Sequence, residues 1–258
     1  MLEDTEKILA CVDQSHFADH VADYGAWAAR RLDAPLELLH VLDRHPEIAS
    51  GADHSGAIGF DAQEQLLSTL SERDEARSRA AREQGRVFLN RLRERAEAAG
   101  VADADMRQRH GELQETLEEQ ADAVQLYVLG RRGRSAEATQ RDLGRNVERV
   151  VRALRKPILA VTDSFREPRS ALIAFDGGSV TRRGVEMIAG SALFRGLPLH
   201  LLMSGRPKKD ARRQLDEAAQ LLADAGFTAQ AELIPGDAES IIARELLERD
   251  IDVLGMGA

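Results

Sequence analysis

One pattern occurs twice in this sequence, and the repetition limits the possible folds more than any other feature. An apolar run that ends in an aspartate and small residues appears first as KILACVDQS and again, after the midpoint, as ALIAFDGGS. The next apolar run, LELLHVLD, is echoed by LHLLMSG. Val41 lies 28 positions beyond Asp13, and Ser204 lies 28 positions beyond Asp176. The equal spacing predicts an internal duplication.

Within each copy, short apolar runs alternate with longer amphipathic ones. This alternation is typical of a parallel sheet with helices on both faces. Strands are expected at about 7–12, 35–42, 104–109, 124–130 and 157–161, and helices at about 15–32, 62–99, 112–120 and 145–154. The predicted fold class is therefore α/β, with two tandem open parallel sheets of a five-stranded type. The predicted domains are residues 1–163 and 169–258.

The second copy is predicted to be incomplete at its carboxyl end. RHGELQETL is paralleled by IPGDAESII, each with a strand end, a glycine, an acidic residue and an amphipathic helix. The sequence then reaches GMGA, where Gly257 matches Gly130, before the second copy's phosphate loop and last strand would follow. Without those parts, Asp176 and Met203 would not complete a phosphate site, so we expect any nucleotide in the first copy.

Composition excludes several classes of protein. The formal net charge of −9 and the pI near 5.4 argue against a nucleic-acid partner, because phosphate backbones need a basic surface. No apolar run approaches the roughly 18 residues of a membrane span. The acidic start does not resemble a signal peptide, and a cytoplasmic location is expected. The seven histidines show no metal-ligand spacing, so we expect no metal site and interpret them as surface residues.

The candidate site is expected at the carboxyl ends of the strands, where ligands bind in open parallel sheets. Asp13, Val41 and Gly130 fall there. The segment GRRGRSAEATQRDLGRNVERVVRA, which starts at Gly130, carries glycines that let backbone amides approach a ligand and arginines suited to oxyanions. Helix N-terminal amides also favour phosphate. This segment predicts a phosphate cradle.

An aspartate after the first strand, a valine at the end of the second, and a late Gly-x2-Gly loop before a helix together resemble the universal stress protein family. The family pattern is Gly-x2-Gly-x9-Gly-Ser/Thr. Here ten residues separate Gly133 from Gly144, and Arg145 stands at the hydroxyl position. The flanking NVERVVRALRKPILAV resembles the family's final helix and strand. The resemblance covers essentially the whole chain, twice.

The resemblance implies an adenine nucleotide alpha hydrolase-like fold that binds ATP or AMP, with or without Mg²⁺. Asp13 would contact the adenosine part, and Val41 would line the adenine pocket. The phosphates would be held by Gly130, Arg131, Gly133, Gly144, Arg145 and Asn146. It further implies a homodimeric stress-response regulator that acts through a protein partner and is not an enzyme.

Simpler interpretations stay open at the level of sequence. Asp13 could cap the first helix, and Val41 could be an ordinary core-edge valine. Gly130 and Gly144 could serve turns, and the arginines could be solvated. At the level of function, the alternatives are a nucleotide-independent scaffold of the same fold and a slow ATPase, which would need a positioned base or water-orienting group.

Overall fold

The computed structural model describes residues 6–42, 60–102, 104–131, 145–162, 164–206 and 209–257, with backbone only at 60–77, 145 and 146. The chain divides into two compact units, with the main boundary between Ser164 and Phe165. Each unit is built around its own parallel sheet.

The first unit contains a five-stranded parallel sheet in the order β3-β2-β1-β4-β5. Its elements are β1 (Lys7–Cys11), α1 (Ala18–Leu32), β2 (Leu36–Leu42), α2 (Phe60–Ala98), β3 (Ala104–His110), α3 (Leu113–Glu118), a 3-10 turn (Ala121–Ala123), β4 (Val124–Gly130), α4 (Arg145–Ala153) and β5 (Ile158–Val161).

The second unit contains a four-stranded parallel sheet in the order β8-β7-β6-β9. Its elements are β6 (Ala171–Ala174), α5 (Ser179–Ala189), β7 (Leu199–Gly205), α6 (Ala211–Asp224), β8 (Ala229–Pro235), α7 (Ala238–Glu248) and β9 (Val253–Gly255). Apart from a counterpart of β5, which is not found among the described residues, the strand order repeats that of the first unit. The predicted α/β class with two parallel sheets is confirmed.

The central strands are apolar throughout because helices cover both faces of the sheet. Ile8, Leu9 and Ala10 of β1 are all 0% exposed, although consecutive side chains point to opposite faces. Gly25 of α1 permits this packing, since a Cβ there would meet the Ala10 Cβ and a Leu36 methyl at 3.1 Å. Helix α1 therefore lies close against the centre of the sheet.

The strand register supports the duplication independently of the sequence pattern. Ile8 of β1 pairs with Leu36 of β2, and Ala171 of β6 pairs with Leu199 of β7, a separation of 28 residues in both units. The long segment between the second and third strands of the first unit, which contains α2, accounts for most of the difference in length between the two copies.

Candidate functional site

The candidate site lies where the strand order of the first sheet reverses. From β1 the chain adds β2 and β3 on one side, and β4 then pairs with the other side of β1. In open parallel sheets, ligands bind outside the carboxyl ends of the strands at such a switch point. Asp13 follows β1, Gly130 ends β4, and Arg131 comes next. The fold therefore brings three predicted residues to the two strands that flank the switch point.

Asp13 shapes the turn between β1 and α1. Its Oδ1 accepts a hydrogen bond from the Ser15 amide at 3.1 Å, which closes an Asx turn. The Ser15 hydroxyl accepts from the Phe17 amide at 3.3 Å, and the Ser15 carbonyl accepts from the Ala18 amide, also at 3.3 Å. Ser15 thus supplies acceptors at the helix entry, while the half-buried Asp13 carboxylate lies at the strand end.

Val41 lies near the carboxyl end of β2 and is half-buried. It packs against the core cluster that contains Leu9 and Leu39. Beyond it, the Gly111 amide donates to the Leu42 carbonyl at 3.1 Å, with Gly111 at φ +149°, a backbone conformation that favours glycine. Val41 therefore has a core-edge position, and its adenine contact stays a prediction.

Arg131 is the cation that the structure places at the switch point. Its amide donates to the Val161 carbonyl at 2.8 Å, which extends the pairing of β4 with β5. Its side-chain Nε is shielded from solvent and has no hydrogen-bond partner among the described residues. A shielded guanidinium N–H without an acceptor costs free energy. A bound oxyanion would satisfy it with a charge-assisted hydrogen bond.

The remainder of the predicted phosphate loop is only partly described. Gly133 and Gly144 lie outside the described residues. Helix α4 begins at Arg145 and continues through Asn146. The structure describes only the backbone of these two residues. The phosphate contacts assigned to these four residues stay predictions.

His40 is a functional candidate that the sequence interpretation missed, since it is not a surface residue. It is 5% exposed, and its Nδ1 lies 2.9 Å from the carbonyl oxygen of Val12, the residue before Asp13. Its burial could have been predicted from its position within the apolar run LELLHVL, which forms β2. A strand covered by helices on both faces buries every residue near its centre.

The corresponding turn of the second unit is also an Asx turn, but its surroundings differ. Asp176 Oδ1 accepts from the Gly178 amide at 2.8 Å and from the Thr181 hydroxyl at 2.6 Å. Gln214 of α6 packs over Gly177, where an added Cβ would lie 2.0 Å from its Oε1. Gly257 lies against the first turn of α5, since a Cβ there would meet a Val180 methyl at 2.9 Å. In the second unit, therefore, residues of the unit itself pack over the turn after β6 and against the start of α5.

Neither a metal cluster nor a membrane-spanning helix is found among the described residues. No group of three or more His, Cys, Asp or Glu side chains there is arranged to hold a metal ion. Among the same residues, no helix combines the length and apolar character needed to cross a bilayer.

The fold is that of a doubly wound α/β protein, and Asp13, Gly130 and Arg131 lie at the switch point where such folds bind ligands. The universal stress protein family model matches residues 5–162. Universal stress protein Slr1230 of Synechocystis is 32% identical over 256 residues, which cover 98% of this chain and 89% of that protein. The chain belongs to the universal stress protein family.

Solved structures extend the likeness across both units at the level of fold. A universal stress protein from Archaeoglobus fulgidus superposes with a TM-score of 0.66 at 16% identity, covering 98% of this chain and 86% of that one. A functionally unknown protein from Pseudomonas aeruginosa gives a TM-score of 0.57, also at 16% identity, covering 98% of this chain and 81% of that one.

Proposed function

We propose that this universal stress protein is a stress-response regulator that binds an adenine nucleotide, ATP or AMP, at the switch point of its first unit. The observation that carries this proposal is Arg131. Its guanidinium Nε is shielded from solvent without an acceptor among the described residues, at the end of the strand that neighbours β1 and the Asp13 turn. A cation in this position suits a phosphate group.

The two ends of a nucleotide match the two sides of the switch point. The Asp13 carboxylate accepts hydrogen bonds, so it suits the hydroxyl groups of a ribose. Arg131 only donates, so it suits phosphate oxygens. The backbone near Val41 would face the base, while Gly130, Gly133, Gly144, Arg145 and Asn146 would complete the phosphate cradle. Mg²⁺, when present, would be coordinated largely through the phosphates.

The proposed regulator binds nucleotide without turning it over. It would work as a cytoplasmic homodimer whose nucleotide occupancy changes the surface that a protein partner recognises. Differential affinity of the nucleotide for two conformations is the physical requirement for such a switch. Phosphate release from ATP at the background rate is the expected outcome, and turnover above background would favour the slow ATPase instead.

Isothermal titration calorimetry on nucleotide-stripped protein tests the binding proposal directly. We expect ATP to bind wild-type protein, and Arg131→Gln to weaken ATP by about tenfold or more through loss of a charge-assisted hydrogen bond. Adenosine, which has no phosphate, should bind both proteins equally. The same substitution thus separates a phosphate contact from a general loss of the pocket.

The matched control is Arg152→Gln, which removes the same charge from an exposed ion pair with Glu148 on α4. It should leave ATP affinity unchanged. If wild-type protein gives no heat with ATP or AMP at high protein concentration, the binding proposal fails and the nucleotide-independent scaffold replaces it.

A further inference from the structure

Val12, the residue before Asp13, is held to β2 at both of its backbone polar atoms. Its amide donates to the Leu39 carbonyl at 2.9 Å, which continues the β1–β2 ladder. Its carbonyl oxygen lies 2.9 Å from Nδ1 of His40, the next residue along β2. The second bond comes from a side chain and is not part of the regular ladder.

The chemistry of this contact fixes the role of the ring. A carbonyl oxygen only accepts, so His40 Nδ1 must carry the hydrogen. The other ring nitrogen, Nε2, is buried and has no hydrogen-bond partner among the described residues. The ring packs edge-on against Phe88 of α2, with 5.3 Å between ring centroids. His40 is therefore a buried donor that bonds to the backbone before Asp13.

The Val12 carbonyl and the Asp13 amide belong to one planar peptide group. A bond that orients the carbonyl also orients the amide, and so sets the direction in which the chain leaves β1. Asp13 then closes its own turn with the Ser15 amide. A rotation of the peptide plane would move the Asp13 carboxylate away from the switch point.

The second unit offers a natural comparison. The Phe175 amide donates to the Leu202 carbonyl at 2.9 Å, just as the Val12 amide donates to Leu39. At the place of His40, however, stands Met203, a buried thioether with no hydrogen to donate. Asp176 closes the same turn as Asp13, through the Gly178 amide, and an additional bond from the Thr181 hydroxyl holds it to its own helix.

We infer that His40 is a positioning residue of the nucleotide site: its Nδ1–H bond to the Val12 carbonyl holds the Asp13 turn in the conformation that binds ribose. This inference rests on the proposed function for its ligand, but the bond itself has a readout without ligand. His40 acts through Asp13 and does not touch the nucleotide.

Two substitutions separate the hydrogen bond from the packing of the ring. His40→Asn keeps an N–H donor at the position of Nδ1, whereas His40→Leu fills similar space without a donor. In calorimetry on the full chain, His40→Leu should weaken ATP by about tenfold, the loss expected for one hydrogen bond. His40→Asn should restore most of that affinity. Equal ATP affinity of folded wild-type and His40→Leu proteins overturns the inference.

Nuclear magnetic resonance on ligand-free protein keeps the inference testable if the nucleotide proposal fails or a variant folds poorly. In wild-type protein, the His40 ring should show the hydrogen on Nδ1, and the Ser15 amide should exchange slowly with solvent. His40→Leu should speed Ser15 exchange, with His40→Asn close to wild type. A neutral His40 ring with its hydrogen on Nε2 overturns the inference, whatever the calorimetry shows.

Discussion

The two units share a strand order and differ in the hydrogen bonds that fix the aspartate after the first strand. In the first, His40 reaches across from β2 to the residue before Asp13. In the second, the His40 position is Met203, and Asp176 is held by Gly178 and Thr181 of its own helix entry. Both aspartates thus close the same Asx turn, and the difference is an added bond, from the sheet at Val12 in the first unit and from the helix at Asp176 in the second.

A second difference between the units lies near the amino ends of β2 and β7. Glu37 of β2 pairs with Leu9, and its counterpart in β7, His200, pairs with Leu172. Glu37 is 3% exposed and lies between two cations, with Lys7 Nζ at 2.7 Å and an Arg107 nitrogen at 3.2 Å. In the first unit, therefore, a carboxylate lies at the centre of a polar cluster formed by Glu37, Lys7 and Arg107.

In the second unit the signs are reversed. Arg249 contacts Glu245 and Glu232, each at 2.7 Å, and its Nη1 lies 3.2 Å from His200 Nδ1. Because Glu37 is buried and Arg249 is partly exposed, and each is paired and hydrogen-bonded, either sign is compatible with this position of the fold. The fold fixes where a polar cluster lies, and the sequence of each unit decides its chemistry.

The largest expected effect is loss of the central cation in the second unit. Arg249→Met leaves Glu245, a 4% exposed carboxylate, with Arg244 as its remaining partner. We expect the substitution to cost about 2 kcal/mol, below the usual figure for a buried pair because solvent screens the partly exposed arginine. Hydrogen exchange with mass spectrometry on second-unit peptides measures this change in the free energy of unfolding.

Two controls accompany that measurement. Arg213→Met removes an exposed ion pair with Glu217 on α6 and should have no measurable effect. Trp27, the chain's one tryptophan, is buried in the first unit, so its fluorescence reports that unit and should not change. A shift in Trp27 unfolding as large as the second-unit shift contradicts the prediction.

Nucleotide affinity gives the next contrast between the two aspartates. Asp13→Ala should weaken ATP by about tenfold to thirtyfold, because a carboxylate that accepts from ribose hydroxyls makes a charge-assisted bond. Asp176→Ala should leave ATP affinity unchanged. Calorimetry on both variants measures the contrast, and equal losses would place the ligand somewhere other than the switch point of the first unit.

The sequence was sufficient for the fold and for the positions of some predicted site residues at strand ends. Periodicity and the spacing of 28 residues predicted both sheets, since each signal depends on local patterns. Asp13, Val41 and Gly130 were placed by a general rule about strand ends, whereas Arg131 was predicted from the family resemblance. His40 was missed because its role depends on a contact between two strands, which no spacing along the chain reveals. The shielding of the Arg131 Nε, which has no acceptor among the described residues, depends likewise on tertiary packing.

A smaller effect is expected at the helix entry of the second unit. Thr181 donates to Asp176 at 2.6 Å, whereas Ala18, at the equivalent place in the first unit, has no hydroxyl. Thr181→Ala should therefore destabilise the second unit by about 1 kcal/mol, the net value of one hydrogen bond. Hydrogen exchange of α5 amides checks it. Protection equal to wild type would show that the bond contributes nothing to stability.

The smallest effect is a pH dependence confined to the second unit. Burial, followed by the nearby Arg249 guanidinium, lowers the pKa of His200 below 6.5, against the opposing effect of Glu232 and Glu245. Between the folded and unfolded pKa values of His200, the unfolded chain binds more protons, so the free energy of unfolding falls as the pH falls. The contribution of neutral His200 to stability is therefore fully present above pH 6.5 and decreases below it.

The His200 window is separate from that of the carboxylates. Hydrogen bonds from Arg244 and Arg249 lower the pKa of Glu245 below 4.5, so this group loses its contribution only in stronger acid. We expect second-unit hydrogen exchange, corrected for the intrinsic exchange rate, to show stability decreasing as the pH falls below about 6.5 in wild-type protein, and His200→Gln to remove that slope. If the slope persists in His200→Gln, another group causes it, and the reversed sign of the second cluster has no consequence near neutral pH.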